Sequence, residues 1–368
     1  MSAAIEPPIR VPPIRVAYTV EQSWHPVPGG TAVAAVRIGR ELRSMADQVE
    51  LHYVAGRHPA APAPPYRPDG PVAMLPLARP WLYESWTRLG WPKVESVTGE
   101  VDVVHATGLV PAATRSPLVV TVHDLAFLDH PEQYTGHGAR MMSRSLRAIE
   151  RRADLVICSS RATVERCVDA GLAADRLRHV PLGVDIVDVG EADIERVRRR
   201  YRLPAEFILF VGTLEPRKNL PRLVAAVEQV GDLPLVVVGM TGWGDQAALD
   251  GPGTLLVGFV PDEDLAPLYA AARVFAYPSE REGFGLPVLE AMAQGTPVVT
   301  SRGTSTEEVA GEAAVLVDPF DVESIADGLR EAARSGPDLA VRGRARAHSC
   351  TWRSTAERTL DVYRELAR

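Results

Sequence analysis

The feature that most constrains the fold of this chain is an alternation of two kinds of segment, which runs through the first half of the sequence and then starts again. Short β-branched runs are separated by longer segments in which apolar residues recur with helical spacing. In the first half the predicted strands are 14–20, 49–54, 72–75, 101–105, 118–122 and 154–158, and the predicted helices are 31–45, 81–89, 138–151 and 161–170. Such alternation predicts parallel strands joined by crossover helices on both faces of a sheet.

The second half repeats this pattern after a break near residues 180–185. Strands are predicted at 207–212, 235–239, 254–257, 274–277 and 297–300, and helices at 194–202, 220–230, 262–272, 287–294 and 321–333. We therefore predict an α/β protein with two doubly wound, Rossmann-like domains that face each other across a cleft. Open parallel sheets bind ligands beyond the carboxyl ends of their strands, so this cleft is the predicted active site.

Length and composition restrict the class of protein. The 368 residues agree with two domains, at about 150 residues each. A net charge of −7 gives no electrostatic support for bulk nucleic-acid binding. The three cysteines, Cys158, Cys167 and Cys350, contain no CxxC pair, which favours a reducing cytoplasm and no structural zinc. With no apolar run near the ~18 residues of a membrane span, and no apolar core of a signal peptide, we expect a cytoplasmic globular protein.

The N-terminus carries a tandem pentapeptide, PPIRV, at residues 7–11 and 12–16. Only the second copy continues into a predicted strand, and four prolines in the repeat remove backbone donors. We therefore predict that residues 1–13 form a disordered tail.

The stretch from Tyr277 to Thr300, YPSEREGFGLPVLEAMAQGTPVVT, contains two glutamates in different predicted settings. Glu282 belongs to a glycine-containing loop, whereas Glu290 lies about one turn inside a helix that Pro287 begins. A loop that enters a helix N-terminus exposes N–H groups that attract an anion such as a phosphate, and a carboxylate one turn further can accept hydrogen bonds from a ribose. These features predict a nucleotide site; the alternative is an ordinary glycine-rich turn.

A second motif, VGTLEPRKNL at residues 211–220, follows the first strand of the second half. Gly212 ends the strand, and Arg217 and Lys218 stand where a helix begins. A lysine point charge beside an arginine fork suits a diphosphate. The alternative is a solvated loop in which Asn219 caps the following helix.

Two features of the first half also lie where strands end. Gly29 and Gly30 precede the first helix and permit close backbone approach to a ligand, although an ordinary turn explains them equally. His123 follows the strand 118–122 and can donate a hydrogen bond to a substrate hydroxyl or phosphate. A structural histidine is the alternative.

Four segments together resemble the retaining glycosyltransferases of family 4, which have the GT-B fold. They are VGTLEPRKNL, GFGLPVLEAMAQGTPVV, the His-Asp pair within residues 122–125 and the Gly-Val-Asp at 183–185. The resemblance covers nearly all of residues 14–368. It implies an acceptor-side domain at 14–185, a nucleotide-sugar-binding domain at 186–352, and a C-terminal helix within 353–368 that crosses back onto the first domain.

The resemblance implies catalytic roles for four residues. Glu282 is expected near the transferred sugar, Lys218 and Arg217 at the diphosphate, and His123 on the acceptor side of the reaction centre. Glu290 is expected to hold the ribose hydroxyls. Further donor contacts are expected at Gly283, Phe284, Gly285, Gly212, Thr213, Gly258, Val260, Gly29 and Gly30.

The chemistry that the resemblance implies is transfer of a hexose from a nucleotide diphosphate sugar with retention of configuration. The acceptor attacks on the face that the leaving group departs from, through an oxocarbenium-like ion pair, and the departing phosphate takes the acceptor proton. No metal and no cofactor are expected, because cationic side chains and helix dipoles stabilise the diphosphate. Some relatives have an arginine at the position of Thr213, so here Arg217 and Lys218 must supply most of the charge. The motifs look most like those of bacterial mannosyltransferases, which favours GDP-mannose over a UDP-hexose.

The expected acceptor is a saccharide or a lipid-linked saccharide. Candidate contacts are the loop 105–111 and the segment 81–91, whose three tryptophans either stack on sugar rings or pack a helix onto its sheet. A row of arginines at helical spacing either contacts an anionic membrane from the cytoplasmic side or forms a solvated face. These arginines are Arg140, Arg144, Arg147 and Arg151.

Three other functions fit the same architecture. A nucleotide-sugar epimerase would use the donor alone, and a non-catalytic protein would bind the sugar nucleotide without turnover. A GT-B phosphorylase is disfavoured because the sequence has no recognisable pyridoxal-lysine context. The presence of Glu282, Glu290, Lys218 and His123 argues against a degenerate site.

Overall fold

The structure is a computed structural model that describes residues 12–26, 28–240 and 253–367. The first eleven residues of the predicted tail 1–13 lie outside the described residues.

The strands of the N-terminal half form one sheet of seven strands. They are β1 (Ile14–Thr19), β2 (Val49–Ala55), β3 (Val72–Met74), β4 (Val103–Ala106), β5 (Leu118–Val122), β6 (Leu155–Cys158) and β7 (Leu177–His179). Their order is β3-β2-β1-β4-β5-β6-β7, and β1 pairs in parallel with both β2 and β4. Strand order therefore reverses at β1, as in a doubly wound sheet.

The strands of the C-terminal half form a second sheet with the same kind of order. They are β8 (Ile208–Val211), β9 (Leu235–Val238), β10 (Thr254–Gly258), β11 (Val274–Tyr277), β12 (Val298–Ser301) and β13 (Val315–Val317). The order is β10-β9-β8-β11-β12-β13, and all of the neighbouring pairs are parallel. The strands β8, β9 and β11 are buried along their whole length, as continuous apolar strands covered on both faces are.

Helices connect the strands throughout. In the N-terminal half they are α1 (Gly29–Ser44), α2 (Trp81–Arg88), α3 (Glu95–Thr98), α4 (Ala126–Asp129), α5 (Gly136–Arg152) and α6 (Arg161–Asp169). The others are α7 (Glu191–Tyr201), α8 (Leu220–Val230), α9 (Asp262–Ala271), α10 (Leu286–Ala293), α11 (Ser305–Ala310), α12 (Val322–Arg334), α13 (Gly336–His348) and α14 (Trp352–Leu366). No helix in the described ranges combines the length and the apolar character that crossing a membrane requires.

The chain divides into two compact units. The first contains the residues up to Thr121, Thr135–Ile157 and the end of the chain from Ala356; the second contains Val122–Tyr134 and Cys158–Thr355. Within the first unit, the buried imidazole of His105 lies 2.7 Å from the Tyr363 hydroxyl and 2.7 Å from the Thr121 hydroxyl. This contact attaches the last turns of α14 to β4 and β5.

The predicted strands and helices are all present, with ends that differ by no more than three residues. The prediction missed β7, β13, α11 and α13, together with the single-turn helices α3 and α4. Helix α13 lacks a continuous apolar stripe and packs through small residues instead: a Cβ at Gly343 would lie 3.3 Å from the Met292 side chain on α10. Apolar periodicity does not detect contacts of this kind.

Candidate active site

The candidate site lies in the second unit, where two loops leave neighbouring parallel strands. Residues 212–219 follow β8, residues 278–285 follow β11, and β8 pairs directly with β11. Strand order in this sheet reverses between these two strands, which is where open α/β sheets bind ligands. The loops are joined by a hydrogen bond from the backbone N–H of Glu280 to the carbonyl of Arg217, 2.9 Å long.

Both predicted cations lie against the predicted loop glutamate. The Lys218 ammonium is 2.6 Å from one carboxylate oxygen of Glu282, and the Arg217 guanidinium is 3.0 Å from the other. The side chains of Lys218 and Glu282 are only 8% and 7% exposed. Because water is largely excluded, these charges interact far more strongly than they would on the surface.

Pairing outweighs burial at the glutamate. Burial alone raises the pKa of Glu282, but the charges of Lys218 and Arg217 lower that pKa to about 2. Burial and the neighbouring Arg217 lower the pKa of Lys218, whereas Glu282 raises it, and the net direction is downward. Arg217 keeps its charge, because Glu282 and Glu215 raise its pKa against the effect of burial.

Glu215 completes a cation–carboxylate cluster of four charged residues: Glu215, Arg217, Lys218 and Glu282. One of its oxygens accepts a hydrogen bond from Arg217 at 2.8 Å, and the other accepts one from the Thr213 hydroxyl at 2.7 Å. Two positive and two negative charges therefore balance inside the cluster.

The tyrosine that ends β11 also belongs to the site. The Lys218 ammonium donates a hydrogen bond to the hydroxyl of Tyr277, which is fully buried, and burial raises the pKa of this phenol well above its ordinary value. Neither Tyr277 nor Glu215 was predicted from the sequence. The available signal was positional, since Tyr277 closes the strand that leads to Glu282 and Glu215 stands inside the motif that carries the cations.

Asn219 corrects the interpretation of the basic motif as a solvated loop with a helix-capping asparagine. It occupies the N-cap position of α8, but its side chain makes no cap bond. Its amide instead donates to the carbonyls of Pro278 at 2.9 Å and Pro319 at 2.5 Å. The side chains of Asn219 and Lys218 are buried, so this end of the loop is not solvated.

The glycines before α10 are required by close contacts. Gly285 has a φ of +111°, and a Cβ there would lie 2.7 Å from the Thr306 side chain. A Cβ at Gly283 would lie 2.3 Å from the carbonyl oxygen of His123. The structure thus brings the predicted residues His123 and Gly283 together at the backbone, and the Thr163 hydroxyl donates to the same His123 carbonyl at 3.2 Å.

Glu290 lies inside α10, as predicted, with Pro287 in the first turn of the helix. Its carboxylate accepts a hydrogen bond of 2.8 Å from the hydroxyl of Tyr269 on α9. Burial and the nearby Glu290 raise the pKa of Tyr269, so this phenol remains a donor. Tyr269 was not predicted, and its place in a helix pattern carried no sign of this contact.

The other predicted donor contacts lie at four places. Gly212 and Thr213 follow β8, and the buried Phe284 follows Gly283 in the loop before α10. Gly258 ends β10, where its carbonyl accepts from the Gly239 N–H at 2.9 Å, and Val260 is buried just beyond it. Gly29 and Gly30 begin α1 in the first unit. Across the described part of the chain, no group of three or more His, Cys, Asp or Glu could hold a metal ion.

Comparison with known proteins assigns this arrangement to a family. One family model, described as Glycosyltransferase Family 4, matches residues 28–188, and another, described as Glycosyl transferases group 1, matches residues 193–347. Over 269 residues the chain is 36% identical to O-antigen chain mannosyltransferase B of Escherichia coli. This match covers 67% of this chain and 70% of that protein. The chain belongs to glycosyltransferase family 4. The predicted enzyme class is therefore confirmed.

Further matches agree with this glycosyltransferase assignment. The serotype-specific mannosyltransferase WbdA of Escherichia coli is 28% identical over 271 residues, a match that covers 67% of this chain and 33% of WbdA. The chain therefore spans about a third of the length of that relative. The structure of Anabaena Alr3699/HepE, in complex with UDP and glucose, superimposes with a TM-score of 0.74 at 19% identity, covering 96% of this chain and 100% of that one. This likeness confirms the predicted GT-B fold.

Proposed function

We propose that this glycosyltransferase transfers mannose, with retention of configuration and without a metal ion, from GDP-mannose to a hydroxyl of a saccharide or lipid-linked acceptor. The observation that carries the proposal is the buried cation–carboxylate cluster at the switch point of the second sheet. Relatives named as mannosyltransferases support mannose as the transferred sugar.

The two cations are suited to stabilise a leaving diphosphate. As the bond between the sugar and the phosphate breaks, negative charge accumulates on the phosphate oxygens. Lys218 is buried and Arg217 is partly buried; Glu282 orients both cations and Glu215 also holds Arg217, so little reorganisation is needed at the moment of reaction. Preorganised positive charge of this kind lowers the barrier more than the same charge in water.

The remaining donor contacts follow from the loop before α10 and from the helix itself. The backbone from Gly283 to Gly285 enters the helix N-terminus, where N–H groups and the helix dipole favour a phosphate or the sugar hydroxyls. Glu290 is held by Tyr269 and offers its carboxylate to the ribose diol. The backbone groups of Gly258 and Val260 contact the nucleobase, which is guanine if the donor is GDP-mannose.

The acceptor step needs positioning rather than a covalent nucleophile. The acceptor hydroxyl attacks the anomeric carbon on the face that the diphosphate leaves, and its proton passes to the departing phosphate. Glu282 contacts the transferred sugar, and His123 lies on the acceptor side. Holding both substrates in line replaces a bimolecular encounter by an effectively unimolecular one. Gly29 and Gly30 stay predicted contacts from the first unit.

The proposal also includes the location of the enzyme. We propose that it is a cytoplasmic enzyme of polysaccharide biosynthesis that makes peripheral contact with an anionic membrane. The exposed side chains Arg140, Arg147 and Arg151 on α5 support it. Arg144 does not add to that surface, because it forms an ion pair with Glu84 of α2.

The donor is tested by thermal denaturation with GDP, UDP, ADP and the matching sugar nucleotides. A ligand at 100 times its dissociation constant stabilises by ~2.7 kcal/mol, so we expect GDP and GDP-mannose to give the largest shifts in melting temperature. A larger shift with UDP or ADP contradicts the donor assignment.

The reaction is tested by incubating GDP-mannose with mannoside acceptors in the presence of a chelator. We expect GDP release and a product whose anomeric configuration, read by NMR, matches that of the donor. Conversion of the donor to an isomer without acceptor would instead indicate an epimerase. Loss of activity on chelation, restored by a divalent cation, contradicts the metal-independent mechanism.

A further inference from the structure

A second pocket, of about 390 Å³, lies beside the cation–carboxylate cluster in the second unit and shares Glu282 with it. Its size is within the range of ligand sites in proteins. Its walls come from α4, α6 and the loops that follow β5, β11, β12 and β13. We call it the side pocket. Apart from Glu282, no residue that lines it has a role in the function proposed above.

The guanidinium groups that line the side pocket are already paired. Asp129 forms ion pairs with both Arg166 and Arg281. Three further carboxylates, from Asp124, Glu280 and Glu282, line the same pocket. The cations are therefore neutralised within the wall, and an anionic ligand gains little there. Carboxylates, by contrast, accept hydrogen bonds from hydroxyl groups.

An aromatic side chain stands on the same wall. Phe320 lines the side pocket and is 62% exposed, although large apolar side chains are usually buried. The Arg222 guanidinium lies 5.5 Å from its ring centroid and pairs with Glu280 at 2.5 Å. Arg222 also donates to the Asn219 side chain at 2.8 Å, which connects the Phe320 wall to the loop that carries Lys218. The ring is thus supported by fixed groups while it stays accessible.

We propose that the side pocket binds a neutral saccharide unit of the acceptor, next to the sugar that receives the transferred hexose. An accessible aromatic ring contacts the C–H face of a sugar, and the surrounding carboxylates and hydroxyls accept or donate hydrogen bonds to its hydroxyls. The shared Glu282 places this unit beside the reacting sugars. The inference rests on the proposed function for its acceptor role.

The first test compares binding of methyl α-mannoside with binding of methyl mannobiosides in the three common α linkages, by calorimetry on the GDP-loaded enzyme. We expect at least one mannobioside to bind more tightly than the monosaccharide. In Phe320→Ala that advantage falls by about 3- to 10-fold, the size of an aromatic contact, while GDP affinity is unchanged. Phe320→Trp restores the advantage.

Val341→Ala is the matched control, since Val341 is similarly exposed, at 65%, on α13 of the same unit. It leaves both affinities unchanged. Three outcomes overturn the inference. They are an equal loss of mannobioside affinity in both alanine variants, an unchanged mannobioside affinity in Phe320→Ala, and no mannobioside that binds more tightly than methyl α-mannoside. If wild-type enzyme does not bind GDP, the proposed function fails instead, and mannobioside binding without GDP still decides whether the pocket takes a saccharide.

The second test examines the charge of the ligand. Wild-type enzyme is expected to bind the mannobioside at least as tightly as its 6-phosphate. In Asp129→Asn, Arg166 and Arg281 lose their shared partner, so the preference shifts toward the phosphorylated form by about 5-fold, as for a partly exposed ion pair. Tighter binding of the phosphorylated form by wild type shows that the pocket is built for an anion and overturns the assignment to a neutral sugar.

Discussion

Two regions of the molecule are rich in positive charge but differ in burial. One is the basic loop of residues 216–219, and the other is the arginine face of α5, formed by Arg140, Arg147 and Arg151. Lys218 is buried against Glu282 and Tyr277. Arg140, Arg147 and Arg151, in contrast, are exposed to solvent. Charges in water at physiological salt are screened within about 8 Å, whereas buried charges are screened much less.

The difference lies in what each region can do with its charge. A buried cation with fixed partners acts on a bond that breaks beside it, because no solvent rearranges around it. An exposed arginine acts on a whole surface, such as a charged membrane, and each contributes a small, salt-dependent amount. The proposed function therefore gives the same formal charge a catalytic role at Lys218 and a membrane-binding role on α5.

The largest expected effect is on turnover in Lys218→Ala. Loss of one preorganised group that stabilises developing charge lowers turnover by about 100- to 1,000-fold, whereas acceptor affinity changes little. Lys93→Ala is the matched control, since Lys93 and Lys218 are the only lysines of the sequence and Lys93 lies in the first unit. Steady-state kinetics decide, with thermal melting to confirm folding. Unchanged turnover in Lys218→Ala would show that the buried lysine has no catalytic role and so does not differ in this respect from the exposed arginines of α5.

The pairing inside the buried cluster should appear in the pH dependence of stability. The pKa of Glu282 falls from an ordinary 4.5 to about 2 on folding, which corresponds to about 3 kcal/mol. This stabilisation is complete above about pH 4.5 and is lost as the pH falls toward 2, because the unfolded state binds the proton first. Urea unfolding of wild type between pH 6 and pH 3 measures the loss.

Glu282→Gln should remove that part of the pH dependence, whereas Glu228→Gln, a change at an exposed position on α8, should retain it. An identical pH slope in wild type and Glu282→Gln would show that the pairing does not stabilise the fold.

A smaller effect is expected for donor affinity in Glu290→Gln. Replacement of the carboxylate weakens its hydrogen bonds to the ribose and lowers GDP affinity by about 10-fold. Wild type should also bind GDP more tightly than 2′-deoxy-GDP, and the variant should lose much of that discrimination. Calorimetry measures both. Tyr269→Phe, which removes the hydroxyl that holds Glu290, is expected to give a smaller loss in the same direction.

The smallest effect is expected at the arginine face. Arg147→Ala should weaken binding to vesicles that contain anionic lipid by about 5-fold, corresponding to about 1 kcal/mol per exposed arginine, and added salt should weaken binding of wild type as well. Arg358→Ala, at an exposed position on α14, is the control. If wild type does not sediment with vesicles even at low salt, the arginine face is a solvated surface and has no membrane role.

Much of the fold could be predicted from the chain because periodicity reports which faces are buried. The strands β5 and β11 and the helix α8 were predicted with their observed bounds. Helix α13 was missed because small residues make its contacts, and β7 because it has three residues with little alternation. Within the site, Arg217, Lys218 and Glu282 were predicted because they stand in motifs at strand ends.

Other parts of the site could not be predicted because they depend on contacts between distant segments. Glu215 and Tyr277 have no distinguishing local pattern. Phe320 contacts Arg222, which donates a hydrogen bond to Asn219 in the basic loop, and this loop lies about 100 residues before Phe320 in the chain. Asn219 was given a local capping role as one alternative, yet its amide reaches Pro278 and Pro319.

By itself, the order of residues determined two doubly wound α/β halves and indicated which side chains to expect at a nucleotide-sugar site, because local propensity and spacing depend only on near neighbours in the chain. The tertiary structure decided which of those charges are buried, which carboxylates balance them, and where a second pocket adjoins them. These properties arise from desolvation and from contacts between segments some 60 to 100 residues apart, as for Lys218 with Glu282 and Asn219 with Pro319.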